Sequence, residues 1–144
     1  MSSSDSRVIG IELGAETNYA NHDITIENIS FKGMYEDIKS HSGTNSANTN
    51  ILIDGWKSRD CVQNVPNGFA WTIKNADIQQ NDYVGAGVHV MYSQGKLTGL
   101  WVEDSRFQGG RYSSVMLTMH ELNGSAGNYS HARDMHFSRC EFLG

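Results

Sequence analysis

The amino-acid sequence predicts an all-β solenoid of about four rungs, its equivalent strands stacked in parallel around one apolar interior. Three observations carry this expectation: a ten-residue pattern that occurs four times, unequal spacings between the copies, and a composition rich in turn formers and poor in charge. Of 144 residues, 15 are Gly, 12 Asn and 16 Ser, with one Pro and 19% charged side chains. Gly and Asn supply the left-handed backbone that sharp bends need. The same profile excludes a charged disordered tail, a coiled coil and a collagen-like chain.

The four copies are ITIENISFKG at 24–33, WTIKNADIQQ at 71–80, LWVEDSRFQG at 100–109 and MHFSRCEFLG at 135–144. They share the order apolar, any, apolar, any, Asn or Asp, small, polar, apolar, any, Gly, with Arg139 and Gln80 as departures. Their first residues, 24, 71, 100 and 135, stand 47, 29 and 35 apart. A helical repeat of fixed length would not vary so much, whereas strands of constant length joined by loops of free length would. A second apolar stretch with period two follows the first three copies, at 51–54, 88–91 and 115–118, and 8–13 reads as the same element of a rung lacking its first part. Alternation over four to six residues marks a strand with one buried face. No sustained helical period occurs; residues 34–41 have room for one or two turns at most. Residues 1–7 are expected to be a flexible leading segment and 8–144 the folded domain.

Stacking requires that aligned positions be compatible as columns. The inward columns are expected to be Ile24, Trp71, Leu100 and Met135; Ile26, Ile73, Val102 and Phe137; and Phe31, Ile78, Phe107 and Phe142. Smaller residues, Ile29, Ala76, Ser105 and Cys140, follow the bend, where Cys140 reads as a small buried hydrophobe. Outward, Glu27, Lys74 and Glu103 alternate in sign, as do Asp77, Arg106 and Glu141 beneath Ser30. Opposite charges across neighbouring strands help modestly and like charges hinder. The bend column is Asn28, Asn75, Asp104 and Arg139.

The recurring motif ITIENISFKG, with strand-forming inserts across residues 8–144, resembles the right-handed parallel β-helix of the pectin-lyase-like superfamily. Within it, the Asn-, Ser- and Gly-rich, Pro-poor character is most similar to bacteriophage tailspikes and related polysaccharide depolymerases. The resemblance implies an extracellular or virion-tail setting and binding of an extended polysaccharide along one β-face. It also implies hydrolase or lyase cleavage, and homotrimeric assembly. A structural shaft or adhesin without catalysis is the alternative. The clustered aspartates and Gly-His-Gly of polygalacturonases and the arginine-centred motif of pectate lyases are absent, so no catalytic residue carries over by motif.

Site candidates therefore come from the expected outward positions of the third strand: Glu12, Asp54, His89, Met91, Thr118 and His120. Glu12 and Asp54 are expected on successive rungs, then Asp54 and His89. Two such carboxylates serve as acid and nucleophile at roughly 5 Å, or as an inverting pair at roughly 6.5–9.5 Å. A lyase would use His89 or His120 as base, with Arg111 or Lys57 neutralising a uronate. Trp56, Tyr92 and Trp101, with Arg111, are the expected sugar-binding groups, because flat rings with polar rims stack on sugar faces. The long loops are expected at 34–50, 57–70 and 121–134.

The remaining features set limits. A net charge of −5 with scattered Lys and Arg gives no footing for nucleic acid. No apolar run reaches the roughly 18 residues of a membrane span, and the first residues lack a signal-peptide core. Cys61 and Cys140 form no metal-ligand pair, His131, His136 and Cys140 are irregularly spaced for zinc, and no cofactor is expected. The last repeat stops at Gly144 without a polar cap, so a trimer partner or the remainder of a longer chain is expected to cover it.

Overall fold

A computed structural model of the chain describes residues 8–14, 20–40, 48–61, 63–65, 68–80, 89–94, 97–109, 113–118 and 132–143. Among them are fifteen strands and no helix. In chain order these are β1 (Ile9–Leu13), β2 (His22–Glu27), β3 (Ser30–Lys32), β4 (Glu36–Ser40) and β5 (Thr49–Asp54). Then follow β6 (Lys57–Arg59), β7 (Gln63–Val65), β8 (Gly68–Lys74), β9 (Asp77–Gln80) and β10 (His89–Gln94). The last are β11 (Leu97–Glu103), β12 (Arg106–Gly109), β13 (Ser113–Thr118), β14 (Ala132–Ser138) and β15 (Glu141–Leu143).

All the pairings are parallel, and each joins a strand to the one three places along the chain. Two five-stranded sheets result, β2-β5-β8-β11-β14 and β3-β6-β9-β12-β15, with a three-stranded sheet β1-β4-β7 and a pair β10-β13. Strand β10 lies beside β7. The chain is thus all-β, built from stacked parallel sheets.

The register makes columns. Ile24, Ile51, Trp71, Leu100 and Met135 pair in sequence across the first five-stranded sheet, as do Ile26, Ile53, Ile73, Val102 and Phe137. Across the second run Phe31, Ser58, Ile78, Phe107 and Phe142. The middle members of the columns are fully buried, and burying each side chain of this size contributes roughly 1.5–3 kcal/mol. Phe107 and Phe142 stack with centroids 5.6 Å apart.

Left-handed backbone recurs at fixed heights. Asn28, Gly55, Asn75, Asp104 and Arg139, at the corner between the two five-stranded sheets, have φ of 52°, 75°, 51°, 49° and 51°. Asp23, Asn50, Ala70, Gly99 and Asp134, just before Ile24, Ile51, Trp71, Leu100 and Met135, have φ of 56°, 56°, 53°, 73° and 55°. Such backbone suits Gly, Asn and Asp and strains other residues. Around the corner the backbone ladder continues without a gap. The amides of Asn28, Gly55, Asn75 and Asp104 donate to the carbonyls of Asp54, Lys74, Glu103 and Ser138, at 2.8, 3.0, 3.2 and 3.1 Å. At another corner the buried Asn48 amide donates to Leu13 O and Ser40 Oγ, at 3.0 and 2.6 Å, and accepts from Asn21 N at 2.9 Å. It ties β1 and β4 to the entrance of β2.

Several expectations need correction. The two large sheets have five strands each where four copies of the motif were expected, because 51–60 (ILIDGWKSRD) pairs with 24–33 as a further copy and is not a third strand. Its short spacings to both neighbours hid it. The expected loops 34–50 and 57–70 contain β4, β6, β7 and the start of β8, and the described part of 34–41 is strand rather than helical turn. Asp54 enters the outward row between Glu27 and Lys74, so the alternation of charge fails at Glu27 and Asp54. In the other row Lys57 enters beside Asp77, and alternation holds through Lys57, Asp77, Arg106 and Glu141. Met91, expected outside, is buried. Residues 1–7 lie outside those described.

Two substitutions, one in the second left-handed column and one at a glycine outside both, test the positive-φ backbone. Ala70→Gly relieves an L-residue from φ 53° at an exposed position and is expected to raise the urea-unfolding free energy by about 0.5 kcal/mol. Gly109→Ala, where a Cβ would sit 2.3 Å from Gln80 O at φ 94°, is expected to lower it by about 2 kcal/mol or more.

Candidate functional site

The outer face of the first five-stranded sheet carries three cross-strand rows. The middle row is Thr25, Leu52, Thr72, Trp101 and His136. Strand alternation sends these residues outward because their neighbours fill the core, and Trp101 remains 47% exposed. Its indole lies flat on the His136 imidazole, with centroids 4.0 Å apart and planes 7° from parallel. Stacked face to face across adjacent strands, the two rings stand edge-on from the sheet, so the pair offers solvent its ring edges and ring nitrogens, a partly apolar and partly polar surface.

Charged groups flank the stacked pair. On one side Thr98 pairs with Arg133. On the other runs the row Glu27, Asp54, Lys74, Glu103 and Ser138. Lys74 Nζ stands 3.9 Å from Glu103 Oε2, and Asn75 Nδ2 donates to Asp54 Oδ1 at 2.7 Å. At the corner beyond, Arg139 grips Asp104 through two nitrogens, Nη2 to Oδ2 measuring 2.8 Å. The hydrogen bond from Arg139 holds the Asp104 carboxyl below its usual range and pushes the guanidinium above its own.

An open groove of about 460 Å³ follows this corner, lined by Asn75, Asp77, Asp104, Arg106, Arg139 and Glu141. Its charges are largely engaged with one another. Arg106 Nε lies 3.6 Å from Glu141 Oε2, and Arg59 binds Asp77. Burial alone would raise the Asp77 carboxyl, but hydrogen bonds from Gln79 and Arg59, with the charges of Arg59 and Arg106, hold it below its usual range.

Of the residues expected from the sequence, Trp101 takes the expected outward place and meets His136. Trp56 does not. It follows the Gly55 corner, points inward and is 1% exposed, so it belongs to the core and not to a sugar-binding face. The expected quartet Glu12, Asp54, His89 and His120 is not gathered on one sheet. Asp54 lies between Glu27 and Lys74 on the first five-stranded sheet, while Glu12 on β1 lies opposite Lys39, and His89 on β10 opposite Ser113. The exchange of sheet follows from the level that 51–60 adds. Tyr92 pairs with Met116 in the backbone, but the side chains of His89 and Tyr92 lie outside the described ones. Arg111 and His120 lie outside the described residues altogether. Lys57, the alternative neutraliser, is exposed on β6 between Ser30 and Asp77.

Inside the stack is a polar cluster that the sequence reading missed. Trp56 Nε1 donates to Asp37 Oδ2 at 3.3 Å, and Ser58 and Cys61 adjoin the same carboxyl. Burial pushes Asp37 above the usual carboxylate range against the lowering effect of Cys61, Ser58 and Trp56. Burial, with Asp37 alongside, pushes the Cys61 thiol up to about 11, so it behaves as a small core group rather than a nucleophile. Aligning ILIDGWKSRD with ITIENISFKG places Trp56 beneath Ile29 and was the available signal. Cys61 and Cys140 are both free thiols. Among the described residues no group of His, Cys, Asp and Glu is arranged to hold a metal ion.

The chain matches no family model, no curated protein and no solved structure. What can be said of its chemistry therefore comes from the face itself.

Because Trp101 is half exposed and its aromatic partner is His136, Trp101→Ala is expected to cost about 0.5–1.5 kcal/mol of stability, the worth of an aromatic pair. Trp71→Ala, in the core one strand away, is expected to cost about 3–5 kcal/mol. Urea-unfolding midpoints of the two variants check the contrast.

Proposed function

We propose that this chain is a segment of a right-handed parallel β-helix whose outer sheet face binds an extended polysaccharide. The observation that carries the reading is the exposed Trp101 indole stacked on His136, set on a flat, regular face between charged rows. An aromatic of this size left open to solvent loses free energy that a sugar ring would restore on covering it. Parallel strands joined every third element favour the coil, and the strong bias of parallel crossovers favours the right hand. The repeat's likeness to the pectin-lyase-like superfamily, and to tailspikes within it, points the same way. A homotrimer on a virion tail or outside the cell belongs to the same proposal. Binding is proposed rather than cleavage, since Asp54 stands on a different sheet from Glu12 and His89.

A structural shaft is the second reading. It is favoured by the outward ion pairs Arg59–Asp77, Lys74–Glu103, Arg106–Glu141 and Arg139–Asp104, which link adjacent levels to one another and not to a ligand.

Titration of the full chain with purified bacterial surface polysaccharides, followed by calorimetry, tests the proposal. Saturable binding is expected for at least one polymer, and Trp101→Ala is expected to weaken it about tenfold or more, as loss of a central aromatic anchor does. Binding unchanged in Trp101→Ala, or absent across acidic and neutral polymers, overturns it and leaves the shaft. A reducing-end and 235 nm assay on the same mixtures reports cleavage.

A further inference from the structure

We infer that Asp37 is a proton-sensitive lock inside the stack: the folded chain holds a proton on this carboxyl that the unfolded chain releases, so acidification tightens the fold. The geometry is that of a carboxyl sealed in an apolar interior. Asp37 sits on β4 with 0% of its surface exposed, between β1 and β7 and against the Trp56 ring. Gly10, the adjacent residue of β1, leaves room for the Phe31 ring, which a Cβ there would meet together with the Asp37 carbonyl. Removing a carboxylate from water into such surroundings is costly, and the protonated form avoids most of that cost.

Among the described residues, the groups placed against the Asp37 carboxyl are an indole, a hydroxyl and a thiol. Trp56 donates from its indole, Ser58 on β6 contributes a hydroxyl, and Cys61 after β6 contributes a thiol kept protonated by burial. Phe31 comes from β3. On its own strand, Lys39 Nζ is turned to Glu36 Oε2 at 3.0 Å, and on β6 Arg59 is turned to Asp77. Glu12 on β1 lies opposite Lys39 rather than Asp37. Burial outweighs the three hydrogen-bonding neighbours and sets the direction upward.

The direction gives the sign. A carboxyl whose folded value lies above its unfolded value of 3.8 contributes stability that is fully present below 3.8 and is lost as pH rises through the folded value. Asp23, Asp77 and Asp104, held below 3.8 by their partners, act oppositely and lose their contribution only as pH falls beneath that value. The two effects therefore occupy separate windows, and the acid-strengthened range lies above pH 3.8.

Urea-unfolding midpoints between pH 4 and 8 test this on the full chain. The wild-type midpoint is expected to fall as pH rises, and Asp37→Asn, which keeps the shape and the acceptor for Trp56, is expected to flatten that fall. At the upper end the variant is expected to equal or exceed the wild type. An equally steep fall in Asp37→Asn, or a wild-type midpoint that does not fall, overturns the inference. Should Asp37→Asn not fold, refolding the wild type in weakly buffered solution at pH 5 decides. Uptake of up to about one proton per chain is expected, and release, or no exchange, refutes it.

Discussion

Two left-handed residues in each level hold this fold in register. A strand that simply continued its alternation around the corner would send the wrong side chains inward. One residue at positive φ spaces the inward positions by three instead of two, from Ile26 to Ile29 and from Val102 to Ser105, and so restores the alternation on the next sheet. The same residue turns its amide to the level beyond, so the ladder of backbone hydrogen bonds passes through the bend unbroken. Core columns, outward rows and the Trp101–His136 stack all follow from that placement. Asn, Asp and Gly occupy the corner in four levels, and in the fifth Arg139 accepts the unfavourable backbone while its guanidinium grips Asp104.

Uniform columns do not mean uniform side chains. In the second level the small position after the corner holds Trp56, and the position that elsewhere carries Phe31, Ile78, Phe107 or Phe142 holds Ser58. Large and small have changed places, which keeps the filled volume of the level near that of its neighbours, as close-packed interiors require. The exchange has a polar consequence. An indole that reaches across the interior brings an N–H with it, and Asp37 is the group that receives it. The buried carboxyl is thus tied to a packing solution and not to the outer face.

Much of the architecture was legible because columns leave a period-two signature and a bend residue in each copy. Ile26, Ile73, Val102 and Phe137 lie in one pile, and Asn28, Asn75, Asp104 and Arg139 are left-handed, as the alignment required. The level at 51–60 escaped because Gly55 replaces Asn and Trp56 replaces a small residue, two changes that compensate only in three dimensions. Strand β4 escaped because Glu36 and Asp37 are buried, and a run of acids does not look like an inward face. Of the candidate site, the outward Trp101 could be read from alternation alone. Its stacking on His136 depends on the orientation of both rings, which spacing does not encode, and the missing level is what separated Asp54 from Glu12 and His89.

Each strand of the five-stranded sheets bonds only to the levels directly above and below it, while Phe142, 48% exposed in β15, shows how little covers an outer level compared with the sealed Phe107 one strand inside. The backbone of β8 and β9 is bracketed by a hydrogen-bonded strand on each side, whereas β2, β3, β14 and β15 each pair within their sheets on one side alone. In such sheets an inner strand is held from two sides and an outer one from one, so local opening is expected to be easier toward the sheet edges.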